Sequence, residues 1–278
     1  MAASFRACGI EPGDRIAIAT PNIAEWIYTF FGAVRMGATL VTLDVRYREK
    51  ELEAILNESS ARLLVTSATS GDFDFTQFYP TFRPRIPTVE EIFYIGGNFT
   101  QLLEASPLEH EAHVDPHTPA VMMYAADTTG QLKSVTLTHA SLLACAQGAQ
   151  VRQTEEDVFL CLLPLDEMGG ITCGILNTLL SASKVVMLPT FSLDAALAAL
   201  RENAITVLCA NPIMYSSMLA KLESTPTIDA LRLALIGGSN ASAAPCAAIG
   251  KAIPSAKVVN LDGLAESSEP AQGDFPPS

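Results

Sequence analysis

The sequence predicts an α/β protein made of two doubly wound, mostly parallel-sheet subdomains. Three observations carry that prediction. Short apolar runs bounded by turn residues alternate with segments of helical period along the 278 residues. Hydrophobic residues supply 49% of the chain and charged residues 17%, the balance of a protein that buries a large core. A polar, histidine-bearing stretch before residue 118 separates two such alternating blocks. The expected division is 1–115, with an irregular linker from about residue 70, and 116–278.

In the first block, Asp14 to Thr20 reads as a strand after the turn Glu11-Pro12-Gly13. Pro21-Asn22 starts a helix with Asn22 as its N-cap, and Ile23, Trp26, Ile27, Phe30, Phe31 and Val34 recur at helical spacing. Gly37 closes it, and Thr39 to Val45 is a second strand. Glu49 to Asn57 is a helix carrying Leu52, Ile55 and Leu56 on one face, and Arg62 to Thr66 is a third strand. A β-α-β-α-β order implies a parallel sheet with right-handed crossovers. Residues 70–118 are the least regular, with a short helix from Phe99 to Leu103. Glu109 to His117 holds three of the four histidines among carboxylates. A zinc site is one reading, since both groups ligate zinc, but the helical His spacing of zinc motifs is missing, which favours a solvated linker.

In the second block, Ala120 to Tyr124 is a buried strand, followed by a polar turn, a second short strand and a helix opening near His139. Strands then fall at 158–163, 184–188, 205–209, 231–236 and 257–260, with helices at 171–180, 193–203, 211–222 and 243–252. Ligands of such folds gather beyond the carboxyl ends of the strands.

The net charge of -13 disfavours nucleic acid and anionic membrane as partners. No window approaches about 18 uninterrupted apolar residues, so a membrane span is not expected. Met1 to Gly13 lacks the charged start and apolar core of a signal peptide. The six cysteines are scattered without a Cys-x-x-Cys, which fits a reduced, cytoplasmic protein.

The stretch Tyr124 to His139 concentrates the chemistry. Thr128, Thr129 and Gly130 can offer hydroxyls and backbone N–H groups to a phosphate, with Lys133 supplying positive charge. The bland alternative is an ordinary hairpin turn, and the spacing is not that of the Walker loop. The stretch resembles the phosphate-binding loop of the adenylate-forming superfamily (acyl- and aryl-CoA synthetases, luciferases, peptide-synthetase adenylation domains), Tyr-Thr-Ser-Gly-Thr-Thr-Gly-x-Pro-Lys-Gly-Val with a later Thr-His. Tyr124, Thr128, Thr129, Gly130, Lys133, Val135, Thr138 and His139 match it; Ala125, Ala126, Asp127, Leu132 and Ser134 do not.

The resemblance spans roughly residues 5–268, about half of a complete family member, the N-terminal part of the large domain. "GIEPGDRIAIATPNIAEW", "GAVRMGATLVTLDVRYREKELEAIL" and "SSARLLVTS" are similar to its first subdomain. "LPLDEMGG" resembles Leu-Pro-Leu-aromatic-His-x-x-Gly, with Asp166 and Glu167 in place of the aromatic and the His. "ITVLCANPIMYSSML", carrying Asn211 and Met214, resembles the acyl-pocket region. "LRLALIGGSNAS" keeps Gly237 and Gly238 of the turn that lies against adenine. "NLDGLAES" resembles Asn-x-Tyr-Gly-x-Thr-Glu, with Asp262 for the stacking Tyr, Ala265 for the Thr, and Glu266, the magnesium-associated carboxylate, retained.

An intact family member binds ATP and a carboxylate, forms an acyl-adenylate and usually passes the acyl group to coenzyme A. On that resemblance Lys133 and Glu266 would be catalytic, with Thr128, Thr129, Gly130, Gly237, Gly238 and Asp262 at the nucleotide, Asp166, Glu167, Asn211 and Met214 at the substrate pocket, and magnesium on Glu266. Asp127 adds a carboxylate where phosphate should lie. At about 4 Å and an effective dielectric of 20, such a pair repels by on the order of 4 kcal/mol. With the changes at Asp262, Ala265 and Glu167, this makes the isolated chain an expected pseudoenzyme or partner-binding protein that holds no cofactor firmly. One alternative is an acyl-CoA ligase half completed by a separate C-terminal part, using ATP or AMP and magnesium. A second is a re-used pocket in which Asp166, Glu167, Asp262 or Glu266 act as acid or base. A homodimer or a protein partner is expected at the edge where the resemblance stops.

Overall fold

Strand β1 (Arg15–Ala19) buries Ile16, Ala17, Ile18 and Ala19 without alternation, as a strand covered on both faces must. The structure, a computed structural model, describes all residues except 107–112, 127–131, 149–152, 223–227, 229, 239–242, 263–270 and 274–278. Two compact units divide the chain, Met1–Ser141 and Leu142–Ser278.

In the first unit α1 (Ala2–Ala7) precedes β1, and α2 (Ala24–Arg35), β2 (Thr39–Thr42), α3 (Glu49–Ser59) and β3 (Leu63–Ser67) follow it. The expected β-α-β-α-β order is therefore present. Helix α2 starts later than its sequence suggests. Its N-cap is Ile23 in extended backbone, with no side-chain cap bond, so Asn22 does not have the capping role expected of it. Trp26, Phe30 and Ala33 are its buried apolar residues, with Trp26 and Phe30 stacked at 5.7 Å between ring centroids.

The region from residue 70 holds more regular structure than expected. Strands β4 (Thr69–Ser70) and β5 (Phe73–Asp74) form a small hairpin, followed by α4 (Phe75–Phe82) and β6 (Glu91–Ile95). Asp74 caps α4, its Oδ1 accepting the N–H of Thr76 at 2.8 Å. Phe75, Tyr79 and Phe82 then pack into the same core as Leu52, Ile55 and Leu56 of α3. Strands β7 (Pro119–Ala126) and β8 (Leu132–Thr138) are an antiparallel hairpin, and β7 lies parallel to β2. The first sheet thus reads β6-β3-β1-β2-β7-β8. The sequence division at 115/116 put this hairpin in the second subdomain. Its hydrogen bonds to β2 place it in the first unit instead.

Helix α5 (His139–Gly148) begins with a reciprocal cap. The Ser141 N–H donates to Thr138 Oγ1 at 3.1 Å, and the Thr138 N–H donates to Ser141 Oγ at 2.9 Å. The second unit then repeats the alternation. Its elements are β9 (Val158–Cys161), a π-helical segment Gly170–Leu176 running into α6 (Asn177–Leu180), β10 (Lys184–Met187), α7 (Leu193–Glu202), β11 (Val207–Ala210), α8 (Pro212–Leu222), β12 (Leu233–Ile236), α9 (Ala243–Ala252), β13 (Lys257–Asp262) and β14 (Ala271–Gly273). The sheet order is β10-β9-β11-β12-β13-β14, parallel except for β14.

Each sheet is pinned at the amino ends of its strands by one arginine. In the first unit Arg62, just before β3, meets Asp14 at 2.5 Å and Glu90 at 2.8 Å. In the second, Arg232, just before β12, reaches the buried Asp157 before β9, donating from Nε to Oδ1 at 2.8 Å and pairing through its Nη2 as well. Thr206, ahead of the intervening β11, also donates to Asp157 Oδ1, at 2.7 Å. No helix among the described residues is long and apolar enough to cross a membrane.

Candidate functional site

The carboxyl ends of β9, β11 and β12 bring together three segments that the sequence singled out. Strand β11 ends at Ala210, and the next residue, Asn211, caps α8. Its Oδ1 accepts the Met214 N–H at 2.8 Å, with Pro212 in the first helical position. The Asn211 side chain therefore fixes the direction in which α8 leaves the sheet. Met214 packs, half-buried, against the core beneath α7, α8 and α9. Tyr215, fully buried, sets its hydroxyl 2.9 Å from the carbonyl of Leu208 and 3.1 Å from that of Leu235, and so ties β11 to β12.

Strand β12 leads into Gly237 and Gly238, with the Gly237 N–H donating to Ala210 O at 3.1 Å. Gly238 has φ of +77, and a Cβ there would lie 3.0 Å from Leu163 Cδ2, 3.6 Å from Glu167 Oε2 and 3.8 Å from Asn211 Cβ. The turn has room for backbone only, and only glycine adopts its conformation readily. The same measurements place Glu167, Asn211 and the Gly-Gly turn side by side. Gly237 in turn faces Leu163 and Leu261, and Leu261 belongs to β13.

Glu167 is held there by a turn that demands another glycine. The Glu167 N–H donates to Pro164 O at 3.3 Å, and a Cβ on Gly170 would lie 1.9 Å from that same carbonyl oxygen. Beyond it the π-helical segment is buried throughout, and the site of a Gly174 Cβ lies 2.9 Å from Cys161 Sγ. π-Helical turns occur often beside functional sites. The sequence showed an apolar run here and gave no sign of the wider helical period, because π and α turns share residue preferences. Glu167 is exposed and Asp166 half-buried, so the mouth formed by these strand ends has an acidic rim.

Lys133 is an exposed residue of β8 opposite Ala125. Asp127, Thr128, Thr129 and Gly130 lie outside the described residues, as do Ala265 and Glu266. Asp262 ends β13, and only its backbone is described. His110 is also outside, and among the described residues no group of three His, Cys, Asp or Glu is placed to hold a metal ion. Burial lowers the pKa of His139, next to the α5 cap, and its Nε2 is buried.

Five of the six cysteines, Cys145, Cys161, Cys173, Cys209 and Cys246, are buried in the second unit. Cys161 and Cys209 are register partners on β9 and β11. The hydrogen bond that the Cys209 thiol makes with Cys161, and then burial, push Cys209 well up, and burial pushes Cys173 up to about 12. These thiols are packing groups and not nucleophiles.

The model of the AMP-binding enzyme family matches residues 1–276. The chain belongs to the AMP-binding enzyme family. Among curated members it is 28% identical over 250 residues to 4-coumarate–CoA ligase 3 of Oryza sativa subsp. japonica, covering 88% of this chain and 44% of the relative. It is 28% identical over 244 residues to the medium-chain fatty-acid–CoA ligase of Escherichia coli (strain K12), covering 83% and 43%. The anthranilate CoA ligase AuaEII, solved in complex with anthranoyl-AMP, superposes with a TM-score of 0.87 at 23% identity, covering 97% of this chain and 52% of that one. A fatty acyl CoA synthetase of Mycobacterium tuberculosis gives 0.84 at 21% identity, covering 96% and 52%. As an AMP-binding family chain, this one spans about half the length of the relatives it matches.

Proposed function

We propose that this chain is the part of an adenylate-forming ligase that contains the Gly-Gly turn and the phosphate hairpin, and that by itself it does not complete adenylation. It then serves as a pseudoenzyme or as a protein that works by binding a partner. The observation that carries this reading is the mouth at Glu167, Asn211 and Gly238. Its backbone is built as a ligand turn, yet a carboxylate stands beside it, 3.6 Å from where a Gly238 Cβ would be. A fixed carboxylate next to the place where an anionic nucleotide should rest raises the cost of binding. Asp127 acts in the same direction in the phosphate turn.

Within the second unit, Gly237 and Gly238 would lie against the bound nucleotide. Magnesium, when bound, would neutralise phosphate charge, and the family's carboxylate for it would be Glu266. The described residues provide no donor set around which that ion can be placed, so no step is routed through it. In this reading the chain's own residues orient a nucleotide weakly and contribute no proton transfer.

The second reading is a ligase half whose remaining part comes from a separate polypeptide. The retained Gly237-Gly238 turn, with its demanding fit against Leu163, favours it. One experiment addresses both readings, in which pyrophosphate release is measured with ATP, magnesium and a panel of aryl and acyl acids. The first reading expects no turnover from the chain alone. Turnover comparable to that of an intact ligase would overturn it, and turnover only on adding a second polypeptide would establish the other.

A further inference from the structure

An amphipathic helix normally turns one apolar stripe toward the core, and α2 has two. Trp26, Phe30 and Ala33 are buried in the first unit. Tyr28, Phe31, Gly32 and Arg35, spaced as i, i+3, i+4 and i+7, form a second stripe. With Ala3 of α1 and Leu103 they line a cavity of about 490 Å³, the size of a small-molecule site. Contacts within the chain fix its walls. The Ser4 hydroxyl donates to Leu102 O at 2.6 Å and so fastens α1 to the helical turn Asn98–Leu103. Gly32 lets α1 lie close against α2, since a Cβ there would fall 2.3 Å from Met1 Cγ and 3.0 Å from Phe5 Cε2. Phe31 stands edge-on to Phe30, at 4.9 Å between ring centroids. Tyr28 and Leu103, each 50% exposed, flank an entrance open to solvent.

The charge of the lining points to the ligand. The chain carries 30 acidic residues against 17 Lys and Arg, yet no Asp or Glu is among the described residues that line this cavity, and Arg35 is. Arg35 also interacts within the chain, but a guanidinium has five N–H donors and can take a carboxylate as well.

We propose that this cavity binds a free amphipathic carboxylate, with the apolar tail between Phe31 and Leu103 over the small residues Ala3 and Gly32, and the carboxylate on Arg35. All of its lining residues belong to the first unit, and none to the mouth at Glu167, Asn211 and Gly238. The inference does not rest on the ligase reading above.

The test is calorimetric titration of octanoate, octanol and octylammonium into the full chain and into Arg35→Gln, Arg35→Lys and Leu103→Asp, with thermal unfolding to check that each variant is folded. The unaltered chain should bind octanoate saturably, octanol more weakly and octylammonium least. An ion pair open to solvent corresponds to about two- to fivefold in affinity. R35Q should therefore weaken octanoate by that factor and leave octanol unchanged, whereas R35K should keep most of the affinity. L103D, which sets a carboxylate on the cavity wall, should reverse the order of octanoate and octylammonium. Octanoate bound equally by the unaltered chain, R35Q and L103D would mean that it sits elsewhere, the mouth of the second unit included, and would overturn the proposal. So would an unaltered chain that binds no octanoate saturably, or that binds octanol as tightly.

Discussion

Replacing Asp157 by Asn should destabilise the second unit by an amount that depends on pH in a specific way. The carboxylate is 3% exposed and accepts from Arg232, Thr206 and the Thr154 N–H, the last at 2.8 Å. Burial alone would raise its pKa. The hydrogen bonds from Arg232 and then Thr206 outweigh burial and bring it to about 2, from 3.8. That difference corresponds to about 2.5 kcal/mol at neutral pH. Arg232 is 43% exposed, so water screens part of the interaction, and about 1.5–2 kcal/mol is the expected loss in D157N. Because the folded pKa is depressed, the stabilisation is fully present above about 4 and disappears as pH falls toward 2. Urea unfolding of both proteins at pH 7, 4 and 2.5 measures it. The gap should persist from pH 7 to 4 and close by more than half at 2.5. An equal gap at all three values would refute the argument, because it would show that shape, and not charge, holds the anchor.

Three further outcomes follow from particular positions. Gly170→Ala should prevent the second unit from folding, because its Cβ would fall 1.9 Å from a backbone oxygen; circular dichroism and solubility report it. Ala182 and Ala204 hold left-handed backbone, with φ of 53 and 47, so Ala182→Gly and Ala204→Gly should each stabilise by about 0.5–1 kcal/mol in thermal unfolding. Thiol titration of the native chain at pH 8 should leave Cys173 and Cys209 unmodified until denaturant is added, because burial holds both in the neutral form.

Much of the fold was legible because parallel strands buried on both faces read as unbroken apolar runs, as Val207–Ala210 and Leu233–Ile236 do. The glycines of the second unit's mouth were legible too, since Gly237 and Gly238 follow such a run directly. What escaped the sequence reading depended on partners distant in the chain. β6 becomes a strand by pairing with β3, and α4 is capped by Asp74 and carries Pro80 inside an aromatic cluster, where helical period is hard to recognise. The hairpin's assignment to the first unit is set by the bonds between β2 and β7, which no local pattern specifies. Asn211, expected at the substrate pocket, also caps α8, a role its position before Pro212 could have suggested.

Whether the chain holds nucleotide is measured by calorimetric titration of ATP with magnesium into the unaltered chain. No saturable heat is expected below the millimolar range, and Asp127→Gly should gain more affinity than Asp262→Tyr, since charge repulsion on the order of 4 kcal/mol exceeds one stacking contact worth about 1–3 kcal/mol. Micromolar binding by the unaltered chain, with no gain in Asp127→Gly, would contradict it and put the ligase half with a separate complement in its place.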